Sequence, residues 1–182
     1  MSSKNIIETP RLLIRIDSAK DYIQIFESFD DTSLKRYFGL NDEELATEKE
    51  KVSGGMQTYR TSFALFHLIE KATHNVLGSF AFHNWYKIHS RAEIGYALRK
   101  EEYKNRGFMK EAIMPILDYG FNKLNLNRME AFIGPNNIAS QKTVLRQGFK
   151  HEGVLKEHYC KNDVIEDSWV YGLLRKDYLA GL

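Results

Sequence analysis

Glu101-Glu-Tyr-Lys-Asn-Arg-Gly-Phe-Met-Lys-Glu-Ala112 is the stretch that decides how this chain is read. It stands between an apolar run, Ala92-Glu-Ile-Gly-Tyr-Ala-Leu98, and a pattern that puts Ile113, Ile116, Leu117, Phe121 and Leu124 on one helical face. A glycine among basic residues at a helix start offers unpaired N–H groups and the positive end of the helix dipole, which suits a pyrophosphate. Gly107 permits close approach, and Lys104, Arg106 and Lys110 add cations suited to phosphates. Taken alone, a glycine between a strand and a helix is more often an ordinary turn. Pro115, inside the helical pattern, removes one backbone bond and predicts a bend there.

Downstream, Met129-Glu-Ala-Phe-Ile133 reads as a strand and residues 137–147 as a helix that Gly148 stops; strands follow from Phe149 and over residues 164–174. Upstream, residues 63–69, 76–82 and 92–98 read as a three-stranded antiparallel meander. Leu12-Leu-Ile-Arg-Ile16 is a further strand, after which Asp17-Ser18 caps a helix carrying Tyr22, Ile23, Ile25, Phe26 and Phe29. Residues 30–60 are polar; Asn41-Asp42 suggests a helix to about residue 51, ended by Gly54-Gly55. The sum is an α+β fold with a mainly antiparallel sheet and one parallel junction.

The length of 182 residues fits one domain spanning 1–182 with a core of its own. A net charge of +2 argues against a dedicated nucleic-acid binder, which concentrates basic residues on one face. The N-terminus lacks an apolar leader and no 18-residue apolar run occurs, so no membrane association and a cytoplasmic location are expected. Cys160 is the single cysteine; it excludes an internal disulfide and reads as an apolar filler. No two of the six histidines stand at the i, i+4 spacing of a helical metal site, and no metal is expected.

A second segment joins the first: Gly134-Pro-Asn-Asn-Ile-Ala-Ser140, followed by Gln147-Gly-Phe149, where a strand ends and Asn137 caps a helix that closes on glycine and an aromatic. In this order the two segments resemble the GNAT superfamily of acetyl-CoA-dependent N-acetyltransferases. Glu8-Thr-Pro-Arg-Leu-Leu-Ile-Arg15, Ala92-Glu-Ile-Gly-Tyr96 and Leu126-Asn-Arg-Met-Glu-Ala131 are similar to its RimJ/RimL branch, the ribosomal-protein N-terminal acetyltransferases. The likeness runs from Thr9 to about Leu174.

The resemblance implies a twisted sheet of about seven strands with flanking helices, in which the strands at 92–98 and 129–133 lie parallel and splay apart. It implies that acetyl-CoA lies in that cleft, its pantetheine arm on the backbone of Tyr96, Ala97 and Leu98. Its pyrophosphate would rest on Lys104, Asn105, Arg106, Gly107, Phe108, Met109 and Lys110, with Asn137 and Ser140 on the second cofactor motif. A backbone N–H near Ala97 would polarise the thioester carbonyl, and the amine would attack the thioester directly.

Attack needs a neutral amine, and a protein α-amine at about 7.7–8.0 needs less help than a lysine at about 10.4. Glu93 occupies the position where protein acetyltransferases of the superfamily carry a catalytic glutamate, and is the candidate base through water; the alternative is a solvent-facing residue of an alternating strand. Where many members carry a tyrosine acid this chain has Val144, which leaves Ser140 and Tyr159 as candidate acids. Their plainer roles are a backbone hydrogen bond in the first helical turn and strand packing. Phe80, Phe82, Trp85 and Tyr86 either line an acceptor pocket or fill the core. The implied acceptor is a protein N-terminus; the other readings are a small amine, such as a polyamine or an aminoglycoside-like compound, and an inactive acetyl-CoA-binding sensor. The strand at 164–174 is a candidate for pairing with a second copy as a homodimer.

Overall fold

The computed structural model describes residues 5–54, 62–161 and 163–181. Eight strands form one sheet in the order β1-β2-β3-β4-β5-β6-β8-β7. They are β1 (Ile6–Glu8), β2 (Leu12–Ser18), β3 (Ser62–Glu70), β4 (Val76–Tyr86), β5 (Arg91–Leu98), β6 (Arg128–Ile133), β7 (Lys150–Lys161) and β8 (Val164–Leu174). The helices are α1 (Ala19–Ser28), α2 (Asp31–Phe38), α3 (Asp42–Ser53), α4 (Phe108–Asn122), α5 (Ile138–Arg146) and α6 (Arg175–Ala180). Every pairing is antiparallel except β5 with β6.

Alternation along the strands builds two layers. Phe66 and Leu68 of β3, with Phe80 and Phe82 of β4, are fully buried in the cluster that also holds Ile113, Ile116, Leu117 and Phe121 of α4. Phe80 and Phe82 are therefore core, not pocket. On the alternate positions of β3, Phe63 and Leu65 face the other way and pack with Tyr22, Leu34, Phe38 and Leu45 of α1–α3. Each fully buried Leu, Ile or Phe contributes about 1.5–3 kcal/mol, so α4 is held by its buried stripe far more than by propensity. The helix passes through Pro115 without ending; it stops at Asn122, two residues sooner than the apolar pattern suggests, and Leu124 packs on the core from beyond it.

Local chemistry sets the boundaries. Ser18 and Asp21 form a reciprocal capping box on α1, and Asn41 and Glu44 form another on α3. Gly54 caps α3 as expected, while Gly55 lies outside the described residues. The polar stretch after residue 30 holds a helix that periodicity did not reveal: α2 starts on the Asp30 side chain and ends on Gly39 at φ 71°.

Two expectations are corrected. The strand at 164–174 is not an edge: β8 pairs with β6 from Leu174 to Trp169 and with β7 along its other side, so β1 and β7 are the edges. Cys160 is exposed on β7 and fills no core.

Candidate active site

The parallel pair is short. Arg91, Ala92 and Glu93 pair with Arg128, Met129 and Glu130, and no pairing follows. Asn127 and Arg128 donate their N–H groups to Ser90 O, and Arg91 reaches Glu130 at 2.8 Å, which locks this end. Beyond Glu93, β5 stays with β4 as far as Leu98 while β6 stays with β8 as far as Ile133. The strands part, and because they run in the same direction the N-termini of α4 and α5 both stand at the open end.

Arg99 N–H bonds Leu77 O, continuing the β4–β5 ladder, in which Ser79 faces Ala97 and Gly78 faces Leu98. Antiparallel alternation then turns the main-chain groups of Ala97 toward Ser79 and those of Tyr96 and Leu98 toward the cleft. Of the N–H groups near Ala97, the ones free to meet a ligand are its neighbours'. Tyr96 OH crosses the cleft to donate to Ser140 O at 3.3 Å. Burial pushes the Tyr96 phenol above its ordinary range, against the opposing effect of Ser140 and Thr143.

Gly107 starts α4 at φ 80°, in the left-handed region, with no side chain capping the helix. The first helical bond runs from Glu111 N–H to Gly107 O, which leaves the amides of Phe108, Met109 and Lys110 without helical acceptors. A cradle of this kind fits a pyrophosphate. Around it, Lys104 is paired with Glu101, Arg106 lies 3.7 Å from Glu70, and Lys110 makes no ion pair among the described residues. Asn105 holds φ 58°, which turns the chain just before the cradle.

The opening strand contributes what its sequence did not announce. Glu111 Oε1 accepts from Thr9 OH at 2.6 Å and from Arg11 N–H at 2.7 Å, and its Oε2 accepts from Arg11 Nε at 2.6 Å. Arg11 also donates to Arg106 O at 3.0 Å and lies 4.5 Å over the Phe108 ring. Burial raises the Glu111 carboxyl, but these bonds outweigh it and hold the pKa below the ordinary value. The Thr-x-Arg segment thus clamps the phosphate loop from a distant part of the chain.

Beside the parting strands lies a cavity of about 870 Å³ lined by Glu93, His83, Phe132, Asn137, His158 and Tyr159, among others. Glu93, predicted as base or surface residue, lines this cavity with its side chain only 15% exposed. Its Oε2 accepts from Asn84 Nδ2 at 2.8 Å and lies 3.6 Å from His83 Nδ1, while Oε1 carries neither contact. Tyr159 stands on the same cavity, 61% exposed. Ser140 is brought to Tyr96 and not to Glu93; its N–H is taken by Asn137 Oδ1 at 3.1 Å. Val144 is fully buried and supports α5 from within the core.

Asn84, His83 and His158 join the site without a motif to mark them. Asn84 is turned by a left-handed φ of 46° at the irregular end of β4. His158 faces Ser168, its Nδ1 3.0 Å from Ser168 Oγ. Glu166 and Asp167 add carboxylates on the hairpin wall; Asp167 is paired with Lys156 at 2.8 Å, whereas Glu166 has no ion pair among the described residues.

A strand pair that opens onto a backbone phosphate cradle, with a carboxylate in the opening, defines a group-transfer enzyme. The model of the acetyltransferase (GNAT) domain matches residues 11–150, and the chain belongs to that family of N-acetyltransferases. It is 33% identical to the uncharacterized N-acetyltransferase YoaA of Bacillus subtilis, over 93% of this chain and 97% of that one. The ribosomal-protein-serine acetyltransferase of Escherichia coli is 26% identical over 68% of each chain. The structure of the spermidine/spermine N-acetyltransferase SpeG from Vibrio cholerae, solved with manganese ions, shares the fold at a TM-score of 0.69 and 20% identity, over 92% of this chain and 96% of its own. Among the described residues no helix is long and apolar enough to cross a membrane.

Proposed function

We propose that this enzyme transfers the acetyl group of acetyl-CoA to the N-terminal α-amine of a protein, in the manner of the RimJ/RimL branch. The observation that carries the reading is the placement of Glu93 in a cavity at the point where β5 and β6 part, on the strand that leads on to the α4 cradle. When bound, acetyl-CoA supplies the acetyl group as an activated thioester. The amides of Phe108 to Lys110, with Arg106 and Lys110, hold its pyrophosphate, and the main-chain groups of Tyr96 and Leu98 hold its arm. The Leu98 or Tyr96 N–H polarises the carbonyl to be attacked.

Glu93 takes the proton of the incoming amine at Oε1 through water, while Asn84 holds Oε2 in place. An α-amine, with an ordinary pKa of about 7.7–8.0, is partly neutral near pH 7 and needs little help to lose its proton. The departing sulfur is reprotonated by Ser140 Oγ, which stands at the start of α5 beside the Tyr96 phenol, or by Tyr159 on the opposite wall. The likeness to the ribosomal-protein-serine acetyltransferase supports a protein acceptor.

The test is mass analysis of peptides incubated with acetyl-CoA, one series with a free N-terminus and one blocked there but carrying lysine. One acetyl group on the free series alone supports the reading. Acetylation of both series, or of neither while spermidine is modified, overturns it. Ser140→Ala and Tyr159→Phe separate the two acids, since only loss of the true donor lowers turnover with CoA affinity kept.

A further inference from the structure

Tyr96 stands on β5 where that strand has already left β6, and its ring lies along Phe80 of β4, with centroids 5.5 Å apart and planes 13° from parallel. This stacking fixes the direction of the phenol, which crosses the cleft to the first turn of α5. There its hydroxyl donates to Ser140 O at 3.3 Å, longer than an ordinary O–H···O bond, so little is lost when the hydroxyl turns to another acceptor. Asn137 Oδ1 caps the turn through Ser140 N–H at 3.1 Å, and the Thr143 hydroxyl donates to Ala139 O at 2.8 Å. Tyr96, Ser140 and Thr143 are half-buried, and Val144 behind them is fully buried.

The reaction sets a requirement that Ser140 alone does not meet. When the C–S bond of the thioester breaks, the sulfur needs a proton, and a thiol ordinarily titrates near about 8.5. An alcohol is a far weaker acid than a thiol, so a serine that gave up its proton unaided would be left as an alkoxide more basic than the thiolate it served. A phenol, ordinarily at about 10, lies close to the thiol and is a competent donor. Tyr96 is the phenol that touches Ser140. Burial pushes it above the ordinary range, while hydrogen bonding from the Ser140 and Thr143 side chains favours its ionised form. The same two hydroxyls therefore steady the phenolate that a donated proton leaves behind.

We propose that Tyr96 is the source of the proton that reaches the departing sulfur, passed on through the hydroxyl of Ser140. As the amine nitrogen bonds to the carbonyl carbon and the C–S bond breaks, Ser140 Oγ gives its proton to the sulfur and takes the phenol proton in its place. Ser140 ends the step unchanged, Tyr96 ends it as a phenolate, and a proton from solvent restores the phenol once CoA has left. The proton that Glu93 took from the amine returns to solvent, so the cycle balances. Tyr96 works from β5, across the cleft from the α5 position that Val144 fills.

This proposal rests on acetyl transfer in the β5–β6 cleft, proposed above, and not on which amine accepts. The experiment measures kcat, KM and the dissociation constant of acetyl-CoA for the wild type, Tyr96→Phe, Ser140→Ala and the double variant. The acceptor is the free-N-terminus peptide or spermidine, whichever the wild type acetylates. Tyr96→Phe keeps the ring on Phe80 and removes only the hydroxyl. The expected result is a loss of about 10²-fold in kcat in each single variant with acetyl-CoA binding unchanged. The double variant should lose no more, because one relay is broken in either case. Replacing Tyr96 by a ring-fluorinated tyrosine, a stronger acid of nearly the same shape, should bring the alkaline fall of kcat to lower pH. The phenol is faced by Phe80 of β4 and by Ser140 and Thr143 of α5, and no charged side chain acts on it among the described residues. Full turnover in either single variant, losses that multiply in the double variant, or an alkaline limb that ignores the fluorinated ring overturns the relay and leaves acetyl transfer standing. A wild type that binds no acetyl-CoA, or that acetylates neither peptide nor spermidine, overturns acetyl transfer and the relay with it.

Discussion

At the residue scale, the account turns on two glutamates with different work. In the proposed mechanism Glu93 takes the amine's proton, so Glu93→Gln should lower turnover roughly 10²-fold where the amine is mostly protonated, with the loss shrinking as pH rises. CoA affinity should stay near its wild-type value; an unchanged pH–rate profile would make Glu93 a bystander. Glu111 never meets the acceptor. It holds Arg11 and Thr9 against the phosphate loop, and Arg11 is half exposed, so water screens the pair and Glu111→Gln should cost roughly 1 kcal/mol of stability. Its folded pKa lies below the ordinary value of 4.5, so the clamp is intact above that value and is lost as pH falls through the folded one. The acid limb of a melting-temperature curve should therefore flatten in the variant. The position of Glu93 on the parting strand was legible from Ala-Glu-Ile, whereas the contacts of Glu111 were not, because its partners lie about a hundred residues away in sequence.

At the element scale, the site exists because two parallel strands pair for three residues and then separate toward two helix starts. Gly107→Val tests the α4 start: a β-branched residue at φ 80° is strained, and its side chain crowds the amides. CoA affinity should drop at least about ten-fold by calorimetry; unchanged affinity would mean that the cradle lies elsewhere. The meander, α4 and α5 were readable in outline because their apolar periods are strong and their caps are local. α2 was hidden: only Leu34 and Phe38 of its eight residues are buried, too few for a period to show. The inner position of β8 was hidden for another reason. Strand pairing is set by distant partners and turn geometry, and an apolar strand reads the same at an edge or in the middle.

At the scale of the whole molecule, the sheet carries a packed helical layer on each face. The α4 layer begins at the Gly107 turn with its free amides, and the α1–α3 layer packs on the other face around Tyr22, Leu34, Phe38 and Leu45. The second layer depends on a neutral His67 held among Asp17, Arg15 and Arg99. Its folded pKa lies below 6.5, so the folded state binds fewer protons than the unfolded one, and stability falls as pH drops below about 6.5. Melting curves between pH 8 and pH 5 should show this fall, and His67→Phe should remove that part of it. Sequence reading picked out the two helix starts and Glu93 on the parting strands, and it missed His83, Asn84 and His158, which share the Glu93 cavity and no common motif. The central claim is tested most directly by calorimetric titration of the full chain with acetyl-CoA, CoA and ATP. Binding of both CoA species with no ATP binding is predicted; failure of acetyl-CoA and CoA to bind would contradict the cradle and the acetyl transfer built on it.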